Sequence, residues 1–446
     1  MPREGVVDAD VLEQLPRSLQ QLSKFERFHL HTPEKFQVPA RDPGFDPSYF
    51  PQNCGALQLP CYWIERRHLQ VFGAQANDCG ELGLFSGEGP NGSVLFPIHP
   101  SSLAHYQDSL RKLAATDAAR DGLRIWGVPT SSTRTLLAWP DRMPERALFV
   151  KTSLHSPIFG DRHLPIGKVA RSVGLSSLVQ RCRHELPGGL DFFAESSGAV
   201  VRQLPDLGFI ARSIPKAIKT NQLVVAPLFA LMGGRQSQPL FLTLMEQTGL
   251  KPLEFVEEVL CSRFARVWLD MSLKQGLILE AHGQDLMLAM RPDLSRVDRF
   301  YYRDFEGLQV DWELRSRCGL LLPTDLPNSR AWHETYATWG FRYGQLVWYK
   351  LRISLLQYLH FVLQELEQML RAWQERGLWS GARIDEGSLT AMFSRKMMDL
   401  IHELFAVRVT PDYNILHNLS RFVLLLLNIR KEAAGCRDTA LIANNG

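Results

Sequence analysis

In QGLILEAHGQDLMLAM, residues 275–290, two apolar runs flank six residues that carry an acid, a histidine, an amide and a second acid. Apolar runs of about five residues are too short for a buried helix and read as buried strands. With RFYYRDFEGLQV, residues 299–310, they predict a strand pair inside a half of the chain that otherwise reads as helix. The surrounding helical signals are PLFLTLMEQT (239–248), PLEFVEEVLCSRFARVWLDMSLKQG (252–276) and a long run over 340–377. In that run Leu346, Leu351, Leu355, Leu359, Leu363 and Leu366 share one helical face, which reads as core in preference to a dimer surface. From 56 to 215 the text changes to short apolar runs such as CYWIE (61–65), TLLAW (135–139) and ALFVKTSL (147–154), broken by Gly, Pro, Asn and Asp. Those are strands with turns. The expected fold class is therefore α+β. Residues 56–215 form a β-rich lobe, 216–446 a mostly helical lobe with a small inserted sheet, and 1–55 a residual N-terminal segment. A cleft between two such lobes is the natural place for a ligand.

Composition narrows the function classes. Of 446 residues, 45% are hydrophobic and 22% charged, the balance of an ordinary globular protein, and the length suits two or three domains. A net charge of +3 gives no reason to expect nucleic acid or a membrane surface as partner. The N-terminus shows no secretory signal, and LVVAPLFALM and FVLLLLNI fall short of the ~20 residues that span a bilayer. The seven cysteines are scattered and form no CxxC, which disfavours disulfide scaffolds, zinc knuckles and iron–sulfur clusters. Reduced thiols in a cytoplasm are expected.

Several signatures fail. In GDRHLPIGKV the two glycines are too far apart and Val169 replaces the hydroxyl of a Walker A loop. HELPG and HELFA lack the second histidine of a zincin helix, and neither GxSxG nor GxGxxG occurs. Four polar constellations remain. HLHTPEK (29–35) carries His31 and Lys35; taken alone it reads as a solvated loop. PTSSTRTL (129–136) offers Ser132, Arg134 and Thr135; extended, it would put Ser132 and Arg134 on one face, a phosphate cradle or merely a polar edge strand. KTSLHSPIFGDRH (151–163) supplies Lys151, Arg162 and His163, a second cationic group or a surface turn. EAHGQD (280–285), extended, would align Glu280, His282 and Gln284, with Asp285 at the turn and Asp304 on a neighbouring strand. Carboxylates on adjacent strands can hold Mg²⁺ and the phosphates it bridges, so Glu280, Asp285 and Asp304 are the expected metal ligands. Cations from the first half and carboxylates from the second suit a nucleoside triphosphate held between two lobes.

These motifs, in this order, resemble the NRPS-independent siderophore (NIS) synthetases, the IucA/IucC family with its FhuF-like C-terminal region. FHLHTPEK is similar to the GHPxHPxxK element, FPIHPSS to LPVHPWQ, PTSSTRTL to pTsSxRT, KTSL to KLSL, EAHGQD to EAHxQN and RDFEG to RDxxG. Glu195 in FFAESSG and Arg212 in LGFIARSIP fall on two later family strands. The resemblance implies an N-terminally shortened member of fingers-and-palm architecture, with a thumb-like remnant at 1–55 and a homodimeric assembly. It implies a cytoplasmic, ATP- and Mg²⁺-dependent ligase in siderophore or related metallophore biosynthesis. Such an enzyme adenylates a carboxylate of a small polycarboxylic acid and passes the acyl group to an amine or hydroxylamine. Under it, Ser132, Arg134, Thr135, Lys151, His31 and Lys35 hold the phosphates. His282 and Gln284 sit at the acyl carboxylate and α-phosphate, and Asp304 contacts nucleotide and metal. The family's acid-binding Thr and Arg positions are occupied here by Phe159 and by His163 beside Arg162, which implies an altered acid site. The competing reading is a nucleotide-binding relative that serves as a non-catalytic partner of an active synthetase.

Overall fold

In the computed structural model the described residues are 9–27, 47–51, 53–73, 92–117, 123–132, 134–155, 164–233, 239–322, 343–377, 382–407 and 421–423. The short apolar runs of the first half pair into a seven-stranded antiparallel sheet. Its spatial order is Leu57–Gln58, Ile125–Pro129, Thr135–Pro140, Leu148–Thr152, Leu204–Ser213, Glu195–Val201 and Leu69–Gly73. Strands such as TLLAWP and LFVKT are buried along their whole length because both faces of the sheet are covered. Alternation divides the cores. Leu136, Ala138, Leu148 and Val150 pack toward a three-stranded sheet that contains Cys61–Glu65 and Ser93–Pro97. Leu137, Trp139 and Phe149 pack with Leu15, Leu19 and Leu22 near the N-terminus and with Val225, Met287, Ala289 and Tyr301 of the second half. The helix Ile166–Arg181 lies close on the sheet: a Cβ at Gly198 would stand 2.6 Å from Val169 Cγ1.

The inserted sheet of the second half exists and is larger than a strand pair. Its order is Val224–Pro227, Leu286–Met290, Val297–Tyr302 and Leu190–Phe192, the last joining in parallel from the first half. Around it pack three helical elements, 252–274, 343–375 and Ser388–Val407. The first carries π-helical turns at Val256–Arg263 and Asp270–Lys274, the second at Leu359–Gln364. They meet through Phe264 stacked on Tyr358 at 3.6 Å, with the Tyr358 hydroxyl donating to the Leu260 carbonyl at 2.6 Å. Leu351, Leu355, Leu359, Leu363 and Leu366 are all buried in this core, so these five leucines of the stripe are spent inside the chain, and the Leu346 side chain lies outside the described residues. Among the described residues no helix is long and apolar enough to cross a membrane.

Candidate active site

Lys151 is fixed by the pleat. It follows Phe149 on the face of strand Leu148–Thr152 that looks toward the second half, so an ammonium emerges from an otherwise apolar strand at the boundary of the two halves. Its Nζ donates to Asp304 Oδ1 and Oδ2, both at 2.8 Å, and to Glu306 Oε2 at 3.0 Å. Glu306 also takes Lys168 Nζ at 2.9 Å on its other oxygen and has Arg134 Nη2 at 3.6 Å. Two acids of one turn thus gather three cations from three elements of the first half. Burial alone would lower the Lys151 ammonium, but Asp304 and Glu306 outweigh it and raise its pKa. Burial would likewise raise both acids. Lys151 and Arg212 instead hold Asp304 well below the usual carboxylate range, and Lys151 holds Glu306 down to about 2.

The turn that carries these acids is unusual in its backbone. Asp304 has φ of 77°, a left-handed conformation that costs a non-glycine residue about 1–3 kcal/mol and collects at functional sites. The Tyr302 hydroxyl donates to the Asp304 carbonyl at 3.0 Å and accepts from the Glu280 amide at 3.4 Å, tying the turn to residue 280. Gly307 closes it: a Cβ there would stand 1.9 Å from Glu280 Oε2. Gln357 donates to Glu280 Oε1 at 3.0 Å, and burial, then Asp304, push the Glu280 pKa up. Beneath, the strand partners Glu195 and Arg212 form a buried ion pair at 2.5 Å.

These groups line a cavity of about 670 Å³, within the ~300–1,000 Å³ usual for small-molecule sites. Arg134 and Lys151 stand on the sheet side, and Lys168 and Arg171 on the first turns of helix Ile166–Arg181. Glu280, Asp304 and Glu306 come from the loops, and Lys350, Ser354 and Gln357 from the long helix. Five basic and three acidic side chains make the wall net cationic, and a helix N-terminus facing it adds to the pull on an anion.

Behind the wall lies a further, sealed ion pair. Glu26, on helix Arg17–Arg27, binds the Arg303 guanidinium through both oxygens, Nη1 with Oε1 and Nη2 with Oε2, the latter at 3.2 Å. The Ser131 amide and hydroxyl donate to Glu26 Oε2 at 3.1 and 2.8 Å. Arg303 also donates to Ser131 Oγ at 3.3 Å and, through Nε, to the Gln284 carbonyl at 3.0 Å.

The sequence expectations divide here. Arg134, Lys151, Glu280 and Asp304 come together on the cavity wall. His31, Lys35, Arg162 and His163 lie outside the described residues. The extended reading of 280–285 is corrected: residues 280–285 form a turn between strands, with the Asp285 and Leu286 amides donating to the His282 carbonyl at 3.0 Å. Consequently His282 and Gln284 do not share the cavity face with Glu280. The His282 ring lies 4.4 Å from Phe361, and its Nδ1 accepts from the Gln284 amide at 3.0 Å. PTSSTRTL is corrected in the same way. Its middle is a turn in which the Arg134 amide donates to the Ser132 carbonyl at 2.7 Å, and the strand starts at Thr135, paired with Lys151. Ser132, half-buried, and Thr135, buried, are not among the residues that line the cavity. Asp285 is half-buried, its pKa raised by burial and then by Asp304 and Glu280. Among the described residues no three His, Cys, Asp or Glu side chains converge as a metal site, and both Asp304 oxygens are engaged by Lys151. Sequence reasoning missed Glu306, Lys168, Arg171, Lys350, Gln357 and the Glu26–Arg303 pair. Glu306 and Arg303 had a visible signal, both standing within two residues of Asp304 in RDFEG.

Solved structures share this architecture. The petrobactin biosynthesis protein AsbB of Bacillus anthracis str. Sterne superposes with a TM-score of 0.60 over 94% of this chain and 75% of its own, at 16% identity. Aerobactin synthetase IucC from a hypervirulent pathotype of Klebsiella pneumoniae gives 0.58 over 86% and 68%, at 16% identity. The ATP-bound aerobactin synthetase IucA from such a pathotype gives 0.57 over 88% and 73%, also at 16%. The chain has the NIS synthetase fold. A family profile described as ferric iron reductase FhuF-like transporter matches residues 258–384, a part of the mostly helical half. No curated protein sequence matches the chain. At this identity the likeness establishes the α+β architecture expected from sequence, and leaves activity to the site itself.

Proposed function

We propose that this protein is a cytoplasmic ATP-dependent ligase that activates a small carboxylic acid as its acyl adenylate and transfers the acyl group to an amine or hydroxylamine. The observation that carries the reading is the Lys151–Asp304–Glu306 cluster, with Arg134 and Lys168, on the wall of a cationic cavity in a fold shared with an ATP-bound synthetase. Hydroxide is a poor leaving group, so the acid must be activated first. A carboxylate oxygen attacks the α-phosphorus, the bond to the bridging oxygen breaks, and pyrophosphate departs. The amine nitrogen then attacks the acyl carbon, AMP leaves, and the proton goes to solvent. Lys151, Arg134 and Lys168 would neutralise the phosphates by exchanging the chain's own carboxylates for phosphate oxygens. Preorganised cations facing developing charge are the main catalytic resource in such transfers. Mg²⁺ would enter with the nucleotide and be held mainly by its phosphates, with Asp304, once freed from Lys151, and Glu280 as the wall carboxylates that could complete its shell.

A siderophore or related metallophore product and a homodimer belong to the same reading. The second reading, a nucleotide-binding partner without catalysis, is favoured by Phe159 and His163 where the resembled family carries its acid-binding Thr and Arg. A reductase reading draws no support from the described cysteines: Cys54, Cys61, Cys182 and Cys261 are scattered buried thiols, and Cys318 is exposed. The test is pyrophosphate release with Mg-ATP and hydroxylamine across citrate, 2-oxoglutarate, succinate, malate, aspartate and glutamate. The ligase predicts acid-dependent release that Arg134→Ala abolishes. ATP binding with silence across the panel supports the partner reading, and no ATP binding ends both.

A further inference from the structure

One guanidinium, that of Arg303, holds three segments around the cavity to the N-terminal helix. It reaches Glu26 on helix Arg17–Arg27, Ser131 in the 129–134 turn and the Gln284 carbonyl in the 280–285 turn. Its backbone amide donates to the Asp285 carbonyl at 3.0 Å. The next residue along the chain is Asp304, with its left-handed backbone and its two bonds to Lys151. Three residues beyond Ser131 stands Arg134, whose guanidinium faces Glu306. Both turns that carry wall charges, one cationic and one acidic, therefore refer to the same carboxylate. Glu26 is 1% exposed and Arg303 2%, so neither can meet a ligand itself.

We propose that Glu26 is a positioning residue: through Arg303 and Ser131 its sealed carboxylate sets the 129–134 turn and the 303–307 turn in register across the cavity. Its consequence for nucleotide rests on the reading of the cavity as an ATP site. The physical reason is geometric. A bidentate carboxylate–guanidinium pair fixes orientation as well as distance. Asp304 is the residue after Arg303, and Arg134 is three residues from Ser131, which bonds both partners of the pair, too close for the backbone to absorb a tilt. A glutamine at 26 keeps the size but presents an N–H₂ to a guanidinium that itself only donates, so one fork of the pair is lost.

The alternative is that Glu26 merely docks its helix, and the same helix supplies the control. Ser18 docks it elsewhere: its amide donates to Asn221 Oδ1 at 2.9 Å, and its hydroxyl bonds the Ile218 carbonyl. The experiment uses the full chain with Glu26→Gln, Glu26→Asp and Ser18→Ala. It measures Mg-ATP affinity by calorimetry and amide hydrogen exchange over 129–135 and 303–308. The proposal predicts at least tenfold weaker ATP binding for Glu26→Gln, a smaller loss for Glu26→Asp, and a change within twofold for Ser18→Ala. It also predicts faster exchange in both turns for Glu26→Gln and in neither for Ser18→Ala. Exchange unchanged in Glu26→Gln, or raised as much by Ser18→Ala, overturns it. Wild-type protein that does not bind ATP ends the nucleotide reading, and the exchange arm then decides the positioning role alone.

Discussion

Two buried ion pairs stand close to each other and are built for opposite ends. Glu26–Arg303 is closed on every side, its remaining polar atoms taken by Ser131 and a carbonyl. Lys151–Asp304 has an equally buried cation, 3% exposed, but its acid is 26% exposed and opens on the cavity. A closed pair leaves a bare charge in a low-dielectric interior when one partner goes. An open pair can trade one partner for another anion, and its Lys, a compact point charge, suits phosphate oxygens. The difference teaches which charges hold the site and which can serve it.

The largest effect that would break this comparison is on ligand binding. Lys151→Met should lower nucleotide-dependent pyrophosphate release at least a hundredfold, on the order of one lost preorganised donor, measured under saturating acid. A variant with most of its activity would show that the open pair is only structural. Next comes stability. Glu26→Ala should cost about 3–5 kcal/mol in urea unfolding, because Arg303 is left uncompensated. A loss under 1 kcal/mol would mean that water reaches the sealed pair.

Smaller still is Ser354→Ala. It removes the acceptor for Trp268 Nε1 at 2.8 Å and the donor to the Leu279 carbonyl at 2.5 Å, and should cost about 1–3 kcal/mol. The smallest expected effect is in acid. The Glu306 pKa falls from an ordinary 4.5 to about 2 on folding. A depressed carboxylate contributes stability above its unfolded value and loses it as pH falls through the folded one. Between pH 4.5 and 2, then, Glu306→Gln should lose stability less steeply than wild type in denaturant titrations at stepped pH. Parallel slopes would contradict the Lys151–Lys168 bridging of Glu306.

How much of this was legible depended on distance along the chain. The α+β class was readable because the apolar period changes near residue 215, and TLLAW and PLEFVEEVL each declare their own element. The strand Leu190–Phe192 was not assignable from sequence, because its partner Val297–Tyr302 lies more than a hundred residues away in the chain and leaves no local mark. Arg134, Lys151, Glu280 and Asp304 stand in polar motifs that interrupt apolar runs, which is the local mark that singles them out, and the fold puts all four on one cavity wall. Lys168, Arg171 and Lys350 are single cations on helices, indistinguishable in sequence from solvated ones. Glu26 meets Arg303 across 277 residues. Period-two alternation also misled: Glu280, His282 and Gln284 would share a face on a strand, but the segment turns.

The account's central claim is that the open pair yields to phosphate. Calorimetric titration of Mg-ATP into wild type and Lys151→Met tests it most directly. The account predicts saturable binding by wild type and its loss, at least a hundredfold, in the variant. Equal affinity in both, or no binding to wild type, would contradict it.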